Sequence, residues 1–112
     1  MTRTRVLVTG GTGFLGRQVV RVLRARGDRD VAAVGSWDFD LTQEPQVERM
    51  IADHRPDAII HLAAVVGGIG ANRRSPGTLF YRNLMMGSLL MEHAHRAGVR
   101  RVLNIGTICS YP

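Results

Sequence analysis

Residues 5–16 read Arg5-Val6-Leu7-Val8-Thr9-Gly10-Gly11-Thr12-Gly13-Phe14-Leu15-Gly16, an apolar run followed by three glycines at three-residue spacing. The run has the pattern of a buried strand and the residues after Gly16 that of an amphipathic helix, so the glycines sit where a strand turns into a helix. Each glycine has its own reason there. Gly10 makes a tight turn, Gly13 lets the backbone approach a pyrophosphate, and Gly16 lets the helix pack closely. Amides at the start of that helix face an anion, with the positive end of the helix dipole behind them. The turn, with Thr12, Phe14 and Leu15, is therefore read as the phosphate-binding part of a dinucleotide site.

Outward from this stretch, strands and helices alternate. Residues 4–9 form a strand and 14–26 a helix, with Leu15, Val19, Val22 and Leu23 facing inward and Arg17, Arg21 and Arg24 facing water. Val31–Val34 is a short second strand. Thr42 is expected to cap a second helix that turns Val47, Met50 and Ile51 inward and ends before Pro56. Residues 57–62 form a third strand, apolar enough to be covered on both faces. A glycine-rich loop over 66–74 follows, and Ser75-Pro76 starts a long helix ended by Gly98. Residues 101–106 form the fourth strand. The order βαβαβαβ predicts an α/β fold, the first half of a Rossmann-type doubly wound parallel sheet with its strands in the order 3-2-1-4. The long helix carries Leu84, Met85, Met86, Leu89, Leu90 and Met91 almost all round, which calls for an apolar neighbour besides the sheet. The same helix of a second copy supplies one, predicting a homodimer through residues 76–97; the alternative is packing against the remainder of the fold.

At 112 residues the chain is one domain at most, and a single cysteine excludes an internal disulfide framework. No charged-then-apolar leader opens it and its apolar runs are too short to span a bilayer, so a soluble, cytoplasmic protein is expected. The net charge of +6 comes from 15 basic residues, every one an arginine. They are scattered rather than gathered in a tract, and no aromatic-studded strand offers a stacking surface, which argues against nucleic-acid binding. Without lysine, these residues supply no Schiff base, no phosphate-loop lysine and no lysine-assisted tyrosine.

About 20 residues past the glycines, a site for NAD often carries an acid on the adenosine ribose. Here Gly35 and Ser36 stand near that place, leaving room for a 2′-phosphate that Ser36 can bond, so the cofactor reading leans to NADP(H) over NAD(H). Asp40-Leu41 offers a carboxylate for the adenine amino group and an apolar wall for the ring, or simply a helix-entry turn. His61 is read as a buried strand-end residue, and His93 and His95 lack metal-ligand spacing; no metal site is expected.

The Gly10-x-x-Gly13-x-x-Gly16 spacing, Asp40-Leu41-Thr42 and His61-Leu62-Ala63-Ala64 resemble the extended short-chain dehydrogenase/reductases, the NAD-dependent epimerase/dehydratase family. Residues 61–74 (HLAAVVGGIGANRR), 80–87 (FYRNLMMG) and 106–112 (GTICSYP) are similar to its GDP-L-fucose synthase branch. That resemblance implies a nucleotide-sugar substrate, GDP-4-keto-6-deoxymannose, epimerised at C3 and C5 and then reduced at C4 with NADPH. It implies cofactor contacts at Leu62, Ala63 and Ala64. Thr107 stands where the family has a catalytic serine on the C4 oxygen, and Cys109 where it has the epimerisation base. The residue type alone leaves Cys109 open between an activated thiolate and a buried, inert thiol. Ile108 replaces a usual serine, Ser110 a usual isoleucine, and Thr12 and Ser36 stand where the family has NADP-clamping arginines. The family's Tyr-x-x-x-Lys pair and substrate domain have no counterpart in residues 1–112, which read as the amino-terminal part of the NAD(P)-binding domain and as inactive alone. The other readings are a related nucleotide-sugar 4,6-dehydratase or C4 epimerase, and a non-catalytic dinucleotide-binding fragment.

Overall fold

Four parallel strands form one sheet in the order β2-β1-β3-β4 in the computed structural model, which describes residues 3–63 and 76–104. The elements are β1 (Thr4–Thr9), α1 (Phe14–Arg26), β2 (Arg29–Val34), α2 (Glu44–His54), β3 (Ala58–His61), α3 (Pro76–Arg96) and β4 (Arg101–Asn104). Alternation along β1 sends Val6 and Val8 to one face and Leu7 to the other, and all three are buried. On the first face Val20 and Leu23 of α1 pack against Val6, Val8, Val31 and Ile60. On the second, α2 and α3 bury Val47, Met50, Ile51, Met86, Leu90 and Ala94 against Leu7, Val34 and Ile59. The sheet is thus the middle of three layers.

The strand order corrects the expected 3-2-1-4: the third strand lies between β1 and β4, not outside β2. The reason lies in residues 35–43, which turn instead of extending. Gly35 N–H donates to the Asp38 carboxylate at 2.9 Å, while Asp38 and Phe39 N–H return to the Gly35 carbonyl at 3.0 and 3.2 Å. With this segment coiled on itself, α2 carries the chain back across β1 before the next strand pairs.

Two local expectations also change. Thr42 does not cap α2; Gln43 is the N-cap residue, and the Thr42 hydroxyl and N–H both donate to Asp40 Oδ1, at 2.6 and 3.0 Å. In α1, Leu15 and Val22 are exposed rather than inward, and the inward line runs through buried Gly16 and Val20 to half-buried Leu23. Gly16 sets that rotation because it is pressed against the preceding turn, and positions four and seven residues on follow it inward. β2 also begins two residues before the expected start. The ends of α1 and the inward residues of α2 lie where the periodicity places them. Ser75, the glycine-rich loop and residues 105–112 lie outside the described residues.

Candidate cofactor site

The register pairs Thr9 with both Val34 and His61, so the carboxyl ends of β1, β2 and β3 finish level. Ligands of open α/β sheets bind at such an edge, beside a reversal of strand order. Here the chain turns sharply. Gly10 has φ +68°, and a Cβ on it would lie 2.7 Å from the Ala63 nitrogen and 2.8 Å from the Leu62 carbonyl carbon. A larger residue is therefore excluded twice, by backbone conformation and by the end of β3. Gly11 N–H ties the turn to β2 through the Val34 carbonyl at 3.0 Å.

The other two motif glycines differ from each other. A Cβ on Gly16 would overlap the Gly10 carbonyl oxygen and the Gly11 Cα, so the fold itself demands glycine there. A Cβ on Gly13 would meet only the Gly10 oxygen, at 3.4 Å, and Gly13 has an ordinary extended backbone. Gly13 is also the N-cap of α1, which has no side-chain cap bond and no acidic residue in its first turn. The positive end of the helix is left uncompensated by side chains.

Behind the turn, Thr9 is fully buried and its hydroxyl organises the strand ends. Oγ1 accepts from the N–H groups of Leu62 and Ala63, at 3.2 and 3.3 Å, and lies 2.6 Å from His61 Nδ1. With its lone pairs engaged, the hydroxyl donates to Nδ1, which assigns the imidazole proton to Nε2. Burial pushes the His61 pKa below its ordinary value, in keeping with this neutral form. His61 is thus a buried strand-end residue as expected, whereas sequence reading gave Thr9 no role.

A cleft of about 240 Å³ opens in front of these strand ends, lined by Gly10, Ser36, Asp40, Leu41, Ala63 and Arg82 among others. Leu41 is buried in its floor and Ser36 is exposed at its side. The two bonds from Thr42, hydroxyl first, hold the Asp40 carboxyl below its usual pKa, and the Arg82 guanidinium adds to the effect. Asp40 therefore makes the helix-entry turn and also lines the cleft. Thr12 sits over Gly35, whose own Cβ would overlap the threonine hydroxyl, so the space expected at Gly35 is filled by a side chain. Phe14 and Leu15 are exposed at the start of α1. Leu62 packs toward the α1 side of the sheet rather than into the cleft. Ala64, Thr107 and Cys109 lie outside the described residues. Arg82, which comes from α3, was missed because nothing local marks a helix arginine as facing a site 46 residues upstream.

Comparison with known proteins agrees with this geometry. The family model described as the NAD dependent epimerase/dehydratase family matches residues 6–112. A GDP-L-fucose synthase of Sinorhizobium fredii is 37% identical over 108 residues, covering 96% of this chain and 34% of its own length. Among solved structures, a GDP-L-fucose synthetase from Naegleria fowleri bound to NADP superposes with a TM-score of 0.84 at 26% identity, covering 100% of this chain and 33% of that one. The Thermus thermophilus UDP-glucose 4-epimerase in complex with NAD does so with a TM-score of 0.79 at 32% identity, covering 88% and 36%. The chain spans about a third of the length of these relatives. By its glycine turn, its parallel sheet and this match over nearly all its residues, the chain belongs to the NAD dependent epimerase/dehydratase family.

Proposed function

We propose that the chain is the NADP(H)-binding part of an oxidoreductase that epimerises and reduces a GDP-linked 4-keto-6-deoxy sugar. The observation that carries the reading is Gly13. Packing accounts for glycine at 10 and 16 but not at 13, where the uncapped start of α1 opens outward. A glycine that the fold does not require, at an unneutralised helix end, fits a turn that must admit a pyrophosphate. The first amides of α1, at Phe14, Leu15 and Gly16, hold that anion with Thr12 beside them. Leu41 and Ala63 wall the base pocket, and Asp40 accepts from the base. When bound, the dinucleotide supplies the hydride for the sugar C4 ketone. Thr107 would hydrogen-bond the C4 oxygen and Cys109 would remove the protons at C3 and C5, as the family resemblance implies.

The similarity to a GDP-L-fucose synthase supports the substrate class, and Ser36 in place of an acid supports the phosphorylated cofactor. Phe80, Leu84 and Met91 form an exposed apolar line on α3, which supports a homodimer through that helix. No helix among the described residues is long and apolar enough to cross a membrane, and a cytoplasmic location fits the single cysteine.

The test is Gly13→Val, titrated with ADP. Valine's Cβ finds space, and the change at an N-cap costs about 1 kcal/mol of stability. ADP affinity should nevertheless fall at least tenfold. Unchanged affinity in a folded variant would overturn the placement.

A further inference from the structure

The cleft in front of the strand ends has one cationic side chain among the described residues that line it, Arg82. It projects from the second turn of α3 into the same 240 Å³ space as Ser36, the residue at the carboxyl end of β2. Among the described residues, Arg82 makes no ion pair; Asp40, the acid that shares the cleft with it, has its Oδ1 engaged by Thr42. The guanidinium is exposed and lines the same cleft as the Ser36 hydroxyl, where its planar fork can meet an anion. Neither Thr12 nor Ser36 brings a cation to this end of the cleft.

We propose that Arg82 is the specificity-determining residue for a 2′-phosphorylated adenosine: its guanidinium binds the 2′-phosphate from α3, in the cleft that Ser36 also lines. The inference rests on the dinucleotide reading above and adds the group that selects between the two cofactor forms. The planar fork of an arginine gives a phosphate two parallel N–H donors, and Ser36 donates a third. The Thr42 bonds lower the Asp40 pKa most and the Arg82 charge adds a smaller share, so the guanidinium lies within electrostatic range of this carboxylate in the cleft. The charge comes from a helix far from β2 in sequence.

The test compares adenosine 2′,5′-bisphosphate with 5′-AMP by calorimetric titration, so no turnover is required. The chain should bind the bisphosphate about tenfold or more tightly than 5′-AMP, since hydrogen bonds to charged groups have that strength. Arg82→Ala should bring the ratio close to one while leaving 5′-AMP affinity within about twofold, because the side chain is exposed and the fold does not depend on it. Arg82→Lys should keep part of the preference and Arg82→Glu should reverse it. A ratio unchanged in Arg82→Ala would overturn the proposal, as would the absence of any preference in the unaltered chain. Failure of both probes to bind would overturn the dinucleotide reading as well; binding of both with no effect of Arg82 would overturn this inference alone.

Discussion

His61 shows how a single side chain couples the site to the stability of the sheet. It is buried, its Nδ1 faces the Thr9 hydroxyl at 2.6 Å, and its pKa is depressed by desolvation. A histidine whose folded pKa lies below the ordinary 6.5 binds fewer protons folded than unfolded, so its contribution to stability is complete above that pH and is lost as pH falls through the folded pKa. Unfolding free energy is expected to fall below pH 6.5, by up to about 1.4 kcal/mol per pH unit for one proton. Urea denaturation at several pH values measures the slope, and His61→Asn should flatten it. An equal slope in both proteins would assign the proton to another group. At this scale the sequence was legible where one residue type has one purpose: Gly10 at a positive φ, Gly16 at a contact, His61 at a strand end. It was not legible for Thr9 or Arg82. Their partners are brought near by the sheet and by α3, and neither residue type announces such a role.

Element ends proved easier to read than element rotations. The bounds of α1 follow from the glycines that flank it, Gly13 at its start and Gly27 after its end. Which side it buries follows from Gly16, and a tally of apolar positions that gave Leu15 and Val22 an inward role missed this. The contact is between backbone atoms, so it cannot relax as a side chain would. Gly16→Ala is expected to destabilise the fold by about 2–3 kcal/mol, the cost of an overpacked site, although alanine has the higher helix propensity. The matched change Gly13→Ala should stay within about 1 kcal/mol. Urea midpoints of the two variants give the comparison, and equal midpoints would mean that the helix can shift away from the turn. The tie between α2 and α3 was equally invisible in sequence. Buried His93 lies 2.9 Å from Glu44 and 3.7 Å from Glu48, carboxylates that the topology, not any helical spacing, brings to it.

For the whole molecule, alternating strands and helices disclosed the class of fold, and the coiled segment 35–43 decided the order of its strands. The outcome leaves two sheet edges of unlike character. β2 carries Arg29 and Asp30 on its border, charges that discourage pairing with another chain. β4 has nothing on its outer side among the described residues, and its Leu103 is 56% exposed beside Ile60, on the face that only α1 covers. Unpaired backbone groups and an uncovered apolar side chain there favour association, as does the line of Phe80, Leu84 and Met91 on α3. The 112-residue chain studied in isolation is therefore expected to sediment at micromolar concentration as a dimer or larger species. Two substitutions separate the surfaces. Leu84→Lys should dissolve an assembly formed through α3 and leave one formed through the sheet edge, whereas Leu103→Lys should do the reverse. Both residues are exposed, so neither change costs core packing, and a shift in sedimentation reports the interface itself. A single monomeric species in the unaltered chain would show that the edge is protected and that the apolar line on α3 is too weak to pair.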